Sequence, residues 1–255
     1  MPVALTRGVS PAIGRCELTH LERKAIDVGL AVRQHLAYEA CLESLGCRLI
    51  RLPAEPDLPD AVFIEDTAVV LDETAVITRP GAVSRRPETG SVAEALKSFR
   101  PLSSISDPGT LDGGDVLRIG RELFIGRSAR SNPEGIRQMR LFLEPFGYSV
   151  RETPVKGCLH LKSAVTLASE HAVLINPDWV DARYFTGMEI IEVDRCEPYA
   201  ANALLINGTA VYPQAHPATR RRLEKRGIPL TVVDLSELAK AEGAVTCCSI
   251  IFNES

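Results

Sequence analysis

Gly243-Ala244-Val245-Thr246-Cys247-Cys248-Ser249-Ile250-Ile251-Phe252 reads as a small-residue lead-in, two adjacent cysteines and an apolar run. Over 245–252 it has the composition of a buried strand, yet such a strand has no need of cysteine where Val or Ala fills the space. Adjacent residues on a strand point to opposite faces, so one thiol looks into a cavity while the other faces the core. Cys247 is, on this reading, a nucleophile. No partner strand follows in sequence, so the expected hairpin mate is 3–7, Val3-Ala4-Leu5-Thr6-Arg7. Joining the two ends of the chain makes one structural unit, and the sequence between them repeats it.

An echo makes the repeat legible. Leu5-Thr6-Arg7-Gly8-Val9-Ser10 returns as Ile77-Thr78-Arg79-Pro80-Gly81-Ala82-Val83-Ser84, each closing an apolar strand ahead of a helical segment. Four hairpins are expected: 61–71 with 75–78, 115–119 with 122–126, 159–168 with 171–176, and 203–207 with 209–212. Helices follow them near 92–99, 133–145, 178–185 and 218–226. Another covers 26–45, where Val28, Leu36, Leu42 and Leu45 recur at helical spacing behind Asp27. Third strands come after the helices at 48–52, 102–105, 149–152, 189–193 and 230–233. A single strand-strand-helix-strand unit cannot bury its own sheet, so five must pack together, and closing on themselves they form a ring. A doubly wound parallel sheet is the rival for alternating strands and helices, but it would set single strands, not hairpins, before the helices. The expected fold class is therefore α/β, a pseudo-fivefold ring of ββαβ units forming a single catalytic domain over 1–255, with no linker or low-complexity segment.

Each unit carries polar residues where its first strand should be apolar. They are Glu65 and Asp66, then Asp112 and Asp115, then His160, then Asn202, and finally Cys247. In a ring, equivalent positions converge on the axis, and convergent polar groups in one pocket mark a site. Taken singly, most have a plainer reading. Asp112 beside two glycines can make a turn, Asn202 can hold a hairpin, and His160 can be a satisfied core histidine. Mid-strand carboxylates with apolar neighbours on both sides are costly unless paired, which favours a functional Glu65-Asp66.

Composition narrows the chemistry. A 255-residue chain that is 45% hydrophobic can bury a substantial core, and a net charge of −4 gives no reason to expect nucleic acid or an anionic membrane as partner. No apolar run is long enough to span a membrane, and Met1-Pro2-Val3-Ala4-Leu5-Thr6-Arg7 lacks a secretory layout. Seven cysteines without paired spacing suggest reduced thiols and a cytoplasmic protein, with Cys16, Cys41, Cys47 and Cys196 read as small packed residues. There is no glycine-rich dinucleotide fingerprint, phosphate loop or paired-cysteine zinc pattern. A thiol, a histidine and several acids suit a cationic substrate. Planar guanidinium is the natural match, because its donors pair bidentately with carboxylate. Its carbon accepts a thiolate, and a histidine can protonate the departing amine. A free thiol has a pKa near 8.5, so Cys247 needs help from the substrate's charge or from His160, which Asp112 would orient. A non-catalytic binder of zinc or arginine is the alternative from another class, with Cys158, His160, Cys247 and Cys248 as soft ligands.

Five segments in order carry a resemblance: Leu58-Pro59-Asp60-Ala61-Val62-Phe63-Ile64-Glu65-Asp66, Ile77 through Arg86, Thr110-Leu111-Asp112-Gly113-Gly114-Asp115-Val116, Leu159-His160-Leu161-Lys162-Ser163 and Val245-Thr246-Cys247-Cys248-Ser249. Over essentially its whole length the chain resembles dimethylarginine dimethylaminohydrolase, within the guanidine-modifying superfamily of arginine deiminases and amidinotransferases. The resemblance implies a five-bladed α/β propeller and hydrolysis of Nω-methylated arginine to citrulline, with no metal or organic cofactor. Arginine deiminase-like hydrolysis of free arginine is the second enzymatic reading. By position, Cys247 would form a covalent thiouronium, His160 would act as acid and then base, and Asp112 would be the third catalytic member. Asp66 with Glu65 would hold the guanidinium. Arg85 and Arg130 would take the substrate carboxylate, and Asp60 with the carbonyls near Leu18 and Ala241 its ammonium. Cys248 would help bind inhibitory zinc without a catalytic role. Gly14-Arg15-Cys16-Glu17-Leu18-Thr19-His20-Leu21-Glu22-Arg23 lies where the family has a mobile lid, in wording of its own. Relatives include monomers and homodimers.

Overall fold

The two ends of the chain pair as expected. In a computed structural model that describes residues 1–254, β1 (Pro2–Arg7) lies antiparallel to the last strand, with Val3 opposite Phe252 and Leu5 opposite Ile250. On its other side β1 is parallel to β2 (Arg48–Leu52), reached through α1 (Val28–Ser44). Asp27 starts that helix by accepting the Leu30 N–H at 2.9 Å. The second unit contains β3 (Ala68–Val70), β4 (Ala75–Ile77), α2 (Thr89–Leu96) and β5 (Leu102–Ser104). The third contains β6 (Val116–Ile119), β7 (Glu122–Arg127), α3 (Pro133–Leu143) and β8 (Ser149–Pro154). A single turn, α4 (Leu161–Ala164), introduces β9 (Val165–Ser169), followed by β10 (Ala172–Ile175) and β11 (Glu189–Glu192). The fifth has β12 (Leu204–Ile206), β13 (Thr209–Pro213), α5 (Pro217–Glu224) and β14 (Leu230–Val233), after which α6 (Ser236–Ala239) leads back to β15 (Ile250–Asn253).

All five sheets share one topology: the first strand runs antiparallel to the middle one, and the middle one parallel to the third. Three-stranded sheets of this length cannot hold themselves, and the apolar clusters show what does. Val3, Leu5 and Phe252 pack on Ile64, Ala75 and Leu96 of the second unit. The second unit's Leu71 and Val76 pack on Leu123, Ile125 and Ile136 of the third. Leu117 and Phe124 meet Val165, Val173 and Ile175. Ala168, Leu174 and Ile191 meet Ala210, Tyr212 and Leu223. Ile206 and Val211 return to Ala4, Tyr38 and Leu42 of the first unit, which closes the five-bladed ring. Each buried aliphatic side chain at these seams stabilises by about 1.5–3 kcal/mol, so the seams hold the blades.

The main departure lies just ahead of the first strands. Residues 64–67 are a 3-10 turn, 161–164 a single helical turn and 245–248 a turn, where continuous strand was expected, and a 3-10 turn over 113–115 takes the first residue of the strand expected from 115. The fourth blade's expected helix over 178–185 is only a 3-10 turn, Ala182–Tyr184. Cys16, Cys41 and Cys47 pack in the core, whereas Cys196 is exposed, because it sits in a turn where its N–H donates to the Asp194 carboxylate at 3.1 Å. No described helix is long and apolar enough to cross a membrane.

Candidate active site

The turns gather the polar residues at one end of the ring axis. Cys247, His160, Asp66, Asp60, Arg85, Arg130 and Ala241 line one cleft, together with Glu17, Phe63, Leu159 and Glu242. Cys247 lies in a turn, not on a strand, yet the two cysteines still diverge: Cys247 is half-buried and faces the cleft, while Cys248 is fully buried in the core. The turn is braced on every side. Tyr38 of α1 donates its hydroxyl to the Val245 carbonyl at 2.8 Å. Asn202 accepts the Thr246 N–H at 3.1 Å and donates to the Thr246 hydroxyl and the Lys162 carbonyl, both at 3.0 Å. The Glu65 N–H donates to the Cys247 carbonyl at 3.1 Å. Asn202 thus holds the turn that carries Cys247 and does not reach the cleft.

His160 N-caps α4, and its Nε2 lies 3.0 Å from Asp112 Oδ2. Asp112 is fully buried behind the histidine, with its other oxygen on the Gly81 N–H at 2.8 Å. The opposite ring nitrogen, Nδ1, is 3.9 Å from Asp66 Oδ1, beyond hydrogen-bond range. Asp66 accepts the Gly114 N–H at 2.9 Å and Arg85 Nη1 at 2.5 Å. The glycine pair after Asp112 serves close approach: a Cβ on Gly114 would lie 2.7 Å from His160 Nδ1 and 2.8 Å from Asp66 Oδ1, and one on Gly113 would lie 2.0 Å from the Glu65 carbonyl oxygen. Asp115 takes no part in the cleft. It accepts the Leu161 N–H at 2.9 Å and the Ser128 and Ser131 hydroxyls at 2.6 Å each, tying the residue after His160 to the loop that carries Arg130.

Glu65 and Asp66 part company because successive residues of a 3-10 turn point about 120° apart. Glu65 turns below the cleft, pairing with Lys162 Nζ at 2.6 Å and accepting the Thr246 hydroxyl at 2.8 Å. That pair sits at a second cavity of about 250 Å³, lined by the first strands of the blades and opening on the ring's other side. Arg85 also differs from expectation. Its donors go to Asp66, to both Glu88 oxygens and to the carbonyls of Asp60 and Phe63, so it braces Asp66 from inside. Arg130 is the freer cation, with its side chain 12% exposed, donating to the Thr19 hydroxyl at 3.1 Å and lying 3.9 Å from Asp112 Oδ2. Asp60 accepts the Glu17 N–H at 3.1 Å, and Leu18 lies beside that contact without lining the cleft. Glu17, Glu242, Lys162 and Thr246 were missed in the sequence. Lys162 stood within a resembling segment, and Glu242 was the one charge beside the small-residue lead-in.

The electrostatics are unusual for a reactive thiol. Burial, then the nearby charges of Glu65 and Asp66, push Cys247 up to about 12. Burial opposes charge on His160, but Asp66, the bond to Asp112 and Asp115 outweigh it and raise the imidazole to about 9. Both shifts favour the protonated form, of the Cys247 thiol and of the His160 imidazole, in the one cleft they line. Because only the thiolate is alkylated, iodoacetamide inactivation is expected to accelerate about tenfold per pH unit from about pH 7 to about pH 10 without levelling off. A plateau reached below about pH 9 would mean a thiolate already present at rest. Asp66, Asp112 and His160 also place ligand atoms within 4.8 Å of one another, so a divalent ion would compete for the same trio.

The chain is 39% identical over 253 residues to the N(G),N(G)-dimethylarginine dimethylaminohydrolase of Streptomyces coelicolor, covering 98% of this chain and 97% of that one. It is 36% identical over 228 residues to the enzyme of the same name from Pseudomonas aeruginosa, covering 89% and 90%. A cysteine-to-serine variant of the Pseudomonas aeruginosa protein, solved in complex with citrulline, superposes with a TM-score of 0.93 at 34% identity over 98% of both chains. No protein-family model matches the chain.

Proposed function

The chain belongs to the dimethylarginine dimethylaminohydrolase family, and from that premise we propose that it hydrolyses Nω-methylated arginine, asymmetric dimethylarginine or monomethylarginine, to citrulline and dimethylamine or methylamine. The observation that carries this reading is the convergence of Cys247, the bonded His160–Asp112 pair and the buried Asp66 carboxylate on one cleft, in a chain 39% identical to an enzyme of that name. The guanidinium enters with its charge against Asp66, which Arg85 holds in place. That positive charge offsets the carboxylates that keep the thiol protonated, so the thiol gives its proton to solvent and becomes the thiolate when substrate is present. Cys247 Sγ then attacks the guanidinium carbon. His160, its Nε2–H donating to Asp112, gives the Nδ1 proton to the departing amine. The thiouronium left on Cys247 is hydrolysed by a water that His160 deprotonates, releasing citrulline and the free thiol. Arg130 takes the α-carboxylate, and Asp60 with the Ala241 carbonyl takes the ammonium, while Leu18, outside the cleft, is left without that role. No step calls for a cofactor, and every residue assigned comes from one chain, whether it works as a monomer or a homodimer. Seven unpaired cysteines suit a reducing cytoplasm.

The test is citrulline formation by the purified protein from asymmetric dimethylarginine, monomethylarginine and arginine in parallel, with a chelator present. Turnover of the methylated substrates, with at least about tenfold lower kcat/KM for arginine, is expected. Turnover mainly of arginine would move the protein to deiminase chemistry with the same three catalytic groups.

A further inference from the structure

Glu242 is not used by the mechanism above, yet it has one of the most elaborate contacts near the cleft. Its carboxylate receives three successive backbone N–H groups from the far end of the sequence: Thr19 at 3.1 Å, and His20 and Leu21 at 2.6 Å each. Consecutive N–H groups converging on one anion form a nest, in which a full negative charge is worth more than a neutral acceptor. Glu242 is also one of only two described non-glycine residues with a left-handed backbone, at φ 60°. That conformation is uncommon for a side chain other than Gly, Asn or Asp. It directs the carboxylate over the cleft, which Glu242 lines beside Ala241.

The segment it holds is anchored at its ends, where Cys16 is buried in the core and Leu18 and Ile26 pack against it. Residues 16–27 contain no helix or strand, and 19–25 are exposed throughout. Apart from Glu242, polar contacts tether it: Arg23 to the Gly14 and Cys16 carbonyls, Glu17 to Asp60 and Ser84, Thr19 to Arg130, the Ala25 carbonyl to Lys240 and the Asp27 N–H to Glu237. Under it the cleft retains only about 20 Å³, far below the ~300 Å³ or more of a ligand site. A substrate of arginine's size enters only when this segment lifts, and lifting it means withdrawing three N–H groups from one carboxylate.

We propose that Glu242 is a positioning residue, the latch that holds the 16–27 segment down over the cleft. Resting on the hydrolase reading, this makes Glu242 a determinant of KM that touches neither the guanidinium nor Cys247. Its charge is the operative feature. Glutamine keeps the size and one oxygen for the three N–H groups, which all meet Oε1, but loses the full charge and sets an NH2 where Oε2 meets the Thr19 N–H.

Because the latched cleft has no room for substrate, Glu242→Gln is expected to lower KM for asymmetric dimethylarginine, by up to about tenfold, with kcat within about threefold of wild type. Two readouts need no turnover. Iodoacetamide alkylation of Cys247 and trypsin cleavage after Arg23 or Lys24 should each accelerate about tenfold, because both follow the lifted population. Trypsin is indifferent to thiol ionisation, so it separates opening from any change at Cys247. His20→Pro, which removes a donor from the exposed segment, should reproduce these effects from the opposite side even if Glu242→Gln fails to fold. Alkylation and cleavage rates within about twofold of wild type in a folded variant would overturn the latch. If no guanidine is hydrolysed while both rates still rise, the hydrolase reading fails and the latch stands.

Discussion

Cys247→Ser is expected to lower citrulline formation by about 10⁴-fold or more, in line with the roughly 10⁶-fold loss when a catalytic nucleophile is removed elsewhere. The reason lies in proton affinity. The Cys247 thiol already stands near 12 in the resting protein, and a serine hydroxyl in the same place, between Glu65 and Asp66, ionises far less readily. A guanidinium strong enough to draw a proton from the thiol would leave the hydroxyl protonated. The fold should barely register the change, because Cys247 is half-buried and the braces on its turn, from Tyr38, Asn202 and Glu65, fall on neighbouring residues or on its carbonyl. Thermal unfolding within about 2 °C of wild type, and retained binding of asymmetric dimethylarginine by calorimetry, should accompany the loss of turnover. A residual rate within about tenfold of wild type would remove Cys247 as the nucleophile.

Asp66→Asn is expected to damage stability and catalysis together. Asp66 and Arg85 are both almost fully buried and meet at 2.5 Å, so removing the carboxylate leaves a buried cation short of a partner. Breaking one side of a buried pair typically costs about 3–5 kcal/mol. Glu88 and two carbonyls still hold Arg85, so the lower figure applies, equivalent to a fall in Tm of roughly 6–12 °C for a chain of this size. Loss of the carboxylate that meets the guanidinium should lower kcat/KM by about 10²–10³-fold. The pH dependence carries a sign. Burial opposes the Asp66 charge, but His160 and Arg85 outweigh it and hold the carboxyl at about 2, while Asp66 helps raise His160 to about 9. Stability from the depressed acid is present above its ordinary value of 3.8 and lost as pH falls through about 2. Stability from the raised histidine is complete below 6.5 and lost as pH rises through about 9. The Tm gap between wild type and variant should therefore narrow above about pH 9, and the variant's His160 should titrate lower. A gap that widens in alkali would mean Asp66 is not the partner that charges His160.

The repeat, the partnership of the chain ends and the residues meeting at the cleft were legible in the sequence for a local reason. Strand alternation, helix spacing and turn residues are written in neighbouring positions, and a sheet that cannot bury itself forces its copies to pack. Third strands at 48–52 and 230–233 match β2 and β14 to the residue. Cys247, His160 and Asp112 stood out because thiol, imidazole and carboxylate interrupt apolar runs at matching places. The tertiary structure alone decided direction and partnership. It turned Glu65 down to Lys162 while leaving Asp66 in the cleft, because a 3-10 turn, not a strand, carries them. Likewise, it surrounded Arg85 with Asp66, Glu88 and two carbonyls, so that a charge legible as a substrate contact braces the site instead. And it brought Glu242 against Thr19, His20 and Leu21, a contact between segments at opposite ends of the chain that exists only because β1 and β15 share a sheet. Residue type and periodicity are local properties; which way a buried charge points depends on the partners the closed ring delivers to it.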